Sequence, residues 1–159
     1  MSFLTKKSVQ RAEKFLRDYD PNLRVISLDT SARTAVDAAK SLNCPEGAIV
    51  KSLLFSADDS FILCLVSGDK KASFNKLKKN LIIEKIEMAK AEDVKRVTGY
   101  TIGGVSPVGH LKRIDIFIDN NLDRFKELFA AAGHPNCVFK IDFKNLVKIT
   151  NGSIMSITE

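Results

Sequence analysis

Histidine is scarce in this 159-residue sequence, which has only His110 and His134. A Ser-His-Asp or Cys-His nucleophilic system would have to use one of them, and neither neighbours a nucleophile in a recognisable motif. Cysteine is nearly as scarce. Cys44, Cys64 and Cys137 are odd in number, widely spaced and free of any C-x-x-C pair, which argues against a disulfide framework or a zinc site. No metal and no cofactor are therefore expected. Cys64, within Phe61-Ile62-Leu63-Cys64-Leu65-Val66, reads as a small apolar side chain. No apolar run approaches the ~20 residues of a membrane span. Met1 to Lys7 shows no apolar signal core before its first charges, so the expected compartment is the cytoplasm. Repeats, low-complexity stretches and linkers are missing too, which leaves one domain over residues 1–159.

What is present is an ordinary globular composition, 45% hydrophobic and 28% charged. A chain of this length buries roughly two-thirds of its unfolded surface, enough for its own core. The formal net charge of +6 favours a polyanionic partner, although excess charge also aids solubility. Lys70, Lys71, Lys76, Lys78 and Lys79 crowd one stretch, and Lys112 and Arg113 follow a glycine-rich segment. Either run can be a solvated face; beside a pocket, it suits a phosphate-bearing ligand such as RNA.

Strand and helix patterns intersperse without regular crossover units, which predicts a mixed α/β sheet with helices around it. Helices are expected from Val9 to Tyr19, from Thr34 to Leu42, over 73–79, over 91–98 and near 143–147. Strands are expected over 24–28, 48–55, 60–67, 81–83, 114–119, 137–141 and around Ile154. Leu122, Phe125, Leu128 and Phe129 fall at helical spacing, so 122–132 reads as an amphipathic helix stopped by Gly133.

Two features suggest chemistry. Lys51 lies in Ala48-Ile49-Val50-Lys51-Ser52-Leu53-Leu54-Phe55, a strand apolar on both faces and so expected to be buried on both. A lysine there either snorkels to solvent from an edge or stands as an ammonium at a pocket wall. The second feature is Gly103-Gly104-Val105-Ser106-Pro107-Val108-Gly109. It is a tight connection or a loop whose backbone N–H groups approach a ligand oxyanion. It matches neither a Walker loop nor G-x-G-x-x-G. His134, in a polar Gly-His-Pro-Asn turn, and Asp69, at a strand end, are turn residues or ligand contacts.

Gly99-Tyr100-Thr101-Ile102 followed by that loop resembles the signature of the YbaK/prolyl-tRNA-editing (ProX-type) family. Ile49 to Leu53 is similar to its lysine strand, Val66 to Lys71 to its Gly-Asp turn, and Ser31 to Thr34 to its early segment. The resemblance spans roughly residues 8 to 159. It implies a curved, barrel-like mixed sheet and a freestanding, metal-independent aminoacyl-tRNA deacylase. The ester of a mischarged proline tRNA would be its substrate, Cys- or Ala-tRNA first. It also implies catalytic roles for Lys51, Gly103 and Gly104, and substrate contacts from Thr30, Asp69, Val105, Ser106, Pro107, Gly109 and His134. Lys70, Lys71, Lys112 and Arg113 would hold the tRNA acceptor end, and prolyl-tRNA synthetase is admitted as a second partner. Ala132-Gly133-His134-Pro135-Asn136 departs from the Gly-basic-basic-Gly pattern of cysteinyl-type members; its His-Pro resembles a histidine of alanine-editing members, which usually differ in the glycine loop, so the amino acid removed is left open, within or outside the proline system. A catalytically silent tRNA- or synthetase-binding module of the same fold is the alternative.

Overall fold

The computed structural model describes residues 3–29 and 34–159. Thr30, an expected substrate contact, and Ser31-Ala32-Arg33 of the resembled early segment lie outside the described residues. Helix α1 (Lys7–Tyr19) buries Val9, Ala12 and Leu16 of the apolar stripe its spacing predicts, while Phe15 and Tyr19, expected to extend that stripe, are exposed. After β1 (Val25–Ser27) comes α2 (Ala35–Leu42). Thr34 caps α2 by accepting from the Asp37 N–H, and Asn43 closes it in the left-handed conformation.

The apolar run at 49–67 forms β2 (Ile49–Ala57) and β3 (Ser60–Ser67), paired antiparallel along their length. Both faces of this hairpin are covered. Val50, Leu54, Leu63 and Leu65 pack against α1 and against α4 (Ala91–Thr98). Phe55, Cys64 and Val66 pack on the other face against Leu77 of α3 (Phe74–Leu81). Burial pushes the Cys64 thiol up to about 12, in keeping with a small apolar side chain.

The remaining strands are β4 (Ile86–Met88), β5 (Asp115–Asp119), β6 (Leu128–His134), β7 (Cys137–Ile141) and β8 (Ser153–Met155), with α5 (Phe143–Thr150) before β8. The sheet runs β1-β7-β6-β2-β3-β5-β8 and curls into a half-barrel, with parallel pairings at β2–β6, β3–β5 and β5–β8. The expected curved mixed sheet is what forms.

One irregularity decides where the site lies. β3 occupies one edge of β2, so β6 and β4 must share the other. β6 pairs only with Ile49 and Val50, and β4 only with Phe55 to Ala57. The Ala89 N–H reaches the Leu54 carbonyl at 3.1 Å, which closes the β4 end. Between these contacts Lys51, Ser52 and Leu53 face a split in the sheet.

Two expected elements are different. The 122–132 helix is instead a 3-10 turn at Asn120–Arg124 followed by β6. Leu128, Ala130 and Ala132 are buried in alternation, and pairing with β2 and β7 outweighs the helix propensity of three alanines. The expected strand 81–83 is the end of α3. Ile82 caps it in the left-handed conformation normally left to Gly or Asn (φ 55°), and Ile83 and Leu81 fold back onto the Phe55 cluster. The strand itself starts later, at Ile86.

Candidate active site

The split in the sheet opens into a cavity of about 440 Å³. Lys51, Ser52, Gly103 and Val105 all line it, so the lysine strand and the glycine loop are brought to one place. Side chains alternate along β2, so Lys51 and Ser52 enter from opposite faces of the strand. Val50 and Leu54 share the Ser52 face of β2 and pack in one apolar cluster with Ala89, Val94, Val105 and Ala130 of the lining. Glu46, also in the lining, acts on Lys51.

Lys51 is half-buried, and its Nζ donates to the Lys70 carbonyl at 2.6 Å. Desolvation holds its pKa below the ordinary 10.5; Glu46 and Asp69 push it back up, and Lys71 adds to the lowering. The ammonium is thus fixed at the wall, with its other two N–H donors available.

Helix α4 ends at Gly99, and the loop beyond it is braced from all sides. Tyr100, fully buried, donates its hydroxyl to the Val108 carbonyl at 2.7 Å. Burial pushes the Tyr100 phenol up to about 12, so it remains a donor. Arg11 of α1 lies over the Tyr100 ring, 4.6 Å from its centroid, and donates Nε to the Gly109 carbonyl at 2.8 Å. His110 donates Nε2 to the Ser106 carbonyl at 2.7 Å, and burial holds its pKa below 6.5. The Gly133 N–H donates to the Gly104 carbonyl at 3.0 Å, tying the loop to β6. At Gly104 a Cβ would stand 2.9 Å from the His134 Cα and N, so only glycine allows this approach.

The sequence-predicted residues divide accordingly. Lys51, Gly103 and Val105 line the cavity. Gly104, Ser106, Pro107 and Gly109 are behind that lining and hold the loop's shape. The Gly104 N–H donates to the Thr101 carbonyl at 2.9 Å, whereas among the described residues the N–H groups of Gly103 and Val105 have no acceptor. Gly103 and Val105 are thus the two cavity-lining loop residues whose N–H groups are not taken up by the loop itself. Asp69 is drawn away to Arg124, whose Nη2 is 2.8 Å from it and whose hydrogen bonding holds the carboxyl below its ordinary range. Arg124 Nη2 also donates to Ser67 at 2.9 Å, and Ser67 donates to the Gly47 carbonyl. The pair therefore locks the turn that carries Gly68 and Lys70. His134 stacks on Phe3 with centroids 4.2 Å apart and accepts the Asn136 N–H on Nδ1, beside the cavity and outside its lining.

Lys70 and Lys71 stand on the turn that anchors Lys51. Lys112 and Arg113 line a separate hollow of about 350 Å³ with Arg96 and Phe61. Among the described residues no group of His, Cys, Asp and Glu could hold a metal ion, and no helix is long and apolar enough to cross a membrane.

This is a sheet cavity with one poised lysine, free loop N–H donors and basic residues outside it. The model of the aminoacyl-tRNA editing domain matches residues 29–149. The chain belongs to that family. A proline–tRNA ligase of Caldicellulosiruptor saccharolyticus is 34% identical over 130 residues, 79% of this chain and 21% of the ligase. The chain thus spans about a fifth of that relative's length. A candidate Cys-tRNA(Pro)/Cys-tRNA(Cys) deacylase of Enterococcus faecalis is 25% identical over 126 residues, covering 79% of this chain and 77% of that one. A crystal structure of a candidate trans-editing enzyme for prolyl-tRNA synthetase superposes with a TM-score of 0.91. It is 32% identical and covers 97% of this chain and 98% of the other. Glu46, Ser52 and Arg11 carry no motif in the sequence; Glu46 and Ser52 line the cavity beside Lys51, and Arg11 reaches the glycine loop from 98 residues away.

Proposed function

We propose that this editing domain is an aminoacyl-tRNA deacylase that hydrolyses the ester of a mischarged tRNA in trans. Cys- and Ala-tRNA(Pro) are the first substrates to test. The observation that carries this reading is the meeting of Lys51 with the free N–H groups of Gly103 and Val105 at one cavity.

In the proposed reaction the aminoacyl end of the terminal adenosine enters the split in the sheet. Water attacks the carbonyl carbon, and negative charge collects on the carbonyl oxygen. The Gly103 and Val105 N–H groups and the Lys51 ammonium stabilise that charge. One such donor typically contributes ~3–4 kcal/mol to lowering the barrier. The C–O bond to the ribose then breaks, its oxygen takes up a proton, and free amino acid and tRNA leave. Among the described lining residues Glu46 and Lys51 are the titratable ones, so a water or a substrate group supplies the nucleophile without a histidine base.

Lys70 and Lys71 on one side, and Lys112 and Arg113 on the other, would hold acceptor-stem phosphates. Phosphate contacts position RNA with little sequence discrimination. Prolyl-tRNA synthetase, whose relatives carry a similar domain, is the proposed source of the mischarged tRNA.

A panel of mischarged tRNAs tests the reading, with Lys51→Ala as control. Hydrolysis of at least one well above the control supports it. Salt-sensitive tRNA binding with no turnover on any substrate would replace it with a silent binding module.

A further inference from the structure

Two carboxylates act on Lys51, those of Glu46 and Asp69, and Lys71 is the cation that opposes them. Yet the one hydrogen bond that its Nζ makes among the described residues goes to a neutral group, the Lys70 carbonyl. A carboxylate would be the stronger partner, because charge-assisted hydrogen bonds are roughly twice as strong as neutral ones. Asp69 is one residue from that carbonyl, on the same turn. What withholds it is Arg124.

Arg124 ends the 3-10 turn before β6 and is held from behind. Its Nε donates to the Asn121 carbonyl at 2.8 Å, and its guanidinium lies over the Phe125 ring, 4.9 Å from the centroid. The remaining donors face the turn that carries Lys70. Nη2 and Nη1 meet the two Asp69 oxygens at 2.8 and 3.3 Å, a two-toothed grip that a lysine cannot make. Nη2 also donates to the buried Ser67 hydroxyl, which donates in turn to the Gly47 carbonyl beside Glu46. One side chain thus reaches both segments that bring a carboxylate towards Lys51. An ion pair as exposed as Arg124–Asp69 adds little stability, so its position relative to Lys51 is the feature that calls for an explanation.

An ammonium paired with a carboxylate is already neutralised, and a second anion arriving beside it gains less. An ammonium resting on a carbonyl keeps its charge. We propose that Arg124 is a positioning residue: by holding Asp69 away from Lys51, it leaves the charge of the lysine for the oxyanion that develops on the substrate. The proposal rests on the reading of Lys51 as the group that meets the ester, and it adds the arrangement that keeps the lysine uncommitted.

The test is a cycle of wild type, Arg124→Gln, Asp69→Asn and the double variant, with two readouts. The first needs no substrate. Carbon-13 NMR of side-chain-labelled lysines, with the Lys51 signal assigned by its loss in Lys51→Ala, gives the midpoint of the Lys51 titration. A nearby opposite charge raises that midpoint. Asp69→Asn should therefore lower it only slightly where Arg124 holds the carboxylate, and by about one pH unit where Arg124→Gln has released it. Glu46 and Lys71, the other charged groups acting on Lys51, are the same in all four proteins. The second readout is single-turnover deacylation of the best mischarged tRNA. Arg124→Gln should be roughly tenfold slower than wild type, part of what one oxyanion donor contributes, and adding Asp69→Asn should restore the rate to that of Asp69→Asn alone.

A purely structural Arg124 predicts equal midpoint shifts in both backgrounds and a double variant at least as slow as Arg124→Gln. Either result overturns the proposal. If no ester is hydrolysed, the deacylase reading fails, and the midpoints alone decide whether Arg124 keeps Asp69 from Lys51. Should circular dichroism show Arg124→Gln unfolded, Arg124→Met, which keeps an aliphatic stem against Phe125, takes its place in the cycle with the same expected results.

Discussion

The two walls of the cavity are built in opposite ways. The glycine loop is cross-braced: Arg11, Tyr100 and His110 each hold one of its carbonyls, and Gly133 holds another from β6. The β2 wall is bare by comparison. Lys51 has one hydrogen bond, to a carbonyl on the neighbouring turn, and the Ser52 hydroxyl has none. The first wall sets geometry and the second supplies charge. Substitutions in the loop should therefore cost stability as well as rate, whereas substitutions in β2 should change rate with little loss of stability.

The largest effect expected is on rate. Lys51→Ala should lower kcat/KM on the best mischarged tRNA by about 10²-fold or more, the usual cost of one oxyanion donor. Its thermal midpoint should stay at or above that of the wild type, because the native lysine is partly desolvated. Stopped-assay kinetics beside calorimetry check both halves, and a large drop in midpoint would erase the contrast between the walls.

Gly104→Ala comes next. The added Cβ meets His134 backbone at 2.9 Å, and backbone cannot swing aside as a side chain tip can. A loss of about 1–3 kcal/mol in stability is expected, together with reduced turnover as Gly103 and Val105 shift. Gly103→Ala has room, its nearest neighbour being Pro135 at 3.5 Å, but its φ of 92° strains an L-residue. It should cost about 1–2 kcal/mol. Chemical denaturation ranks the two.

Arg11→Ala removes two carbonyl bonds and the contact with Tyr100. About 1–2 kcal/mol of stability should go with them. Because Arg11 is remote from the lining, the loss of rate should follow the loosening of the loop and be smaller than for Lys51→Ala.

The pH dependence separates the walls as well. His110 is held below 6.5 in the folded loop, so below that pH the unfolded chain binds more protons than the folded one. Stability should therefore fall as pH drops below 6.5, until the lowered value is passed, and His110→Gln should flatten that slope. Lys51 is also held low, so between its lowered value and 10.5 stability contributed by this residue rises with pH. Activity that needs the ammonium should instead fall over the same alkaline range. Asp69→Asn should have the smallest effect, under about 1 kcal/mol, since its pair with Arg124 is partly exposed.

Much of this was readable from the residues. The two-faced apolar run at 49–67, the Gly99 helix stop and the alternation at 115–119 each carry a local signal that the fold keeps. The segment 122–132 misled because Leu, Phe and Ala at those positions fit a helical stripe as well as an alternating strand; only pairing with β2 and β7 chooses. Ile82 misled because apolar residues after a helix can close it as well as start a strand. Within the site, Lys51 and the loop were visible as local oddities. The Arg11–Gly109 brace joins residues 98 apart and leaves no local trace. Ser52 looked like any strand serine until the split in the sheet showed that its hydroxyl has no partner.

The central claim is that the two walls act on one ester, and a double-mutant cycle tests it most directly. Single-turnover deacylation of the best mischarged tRNA would be measured for wild type, Lys51→Ala, Gly104→Ala and the double variant. If Lys51 and the loop stabilise the same oxyanion, the double variant is scarcely slower than the worse single one, because groups acting as a unit are non-additive. Fully additive losses would contradict the account by placing the lysine and the loop in separate tasks.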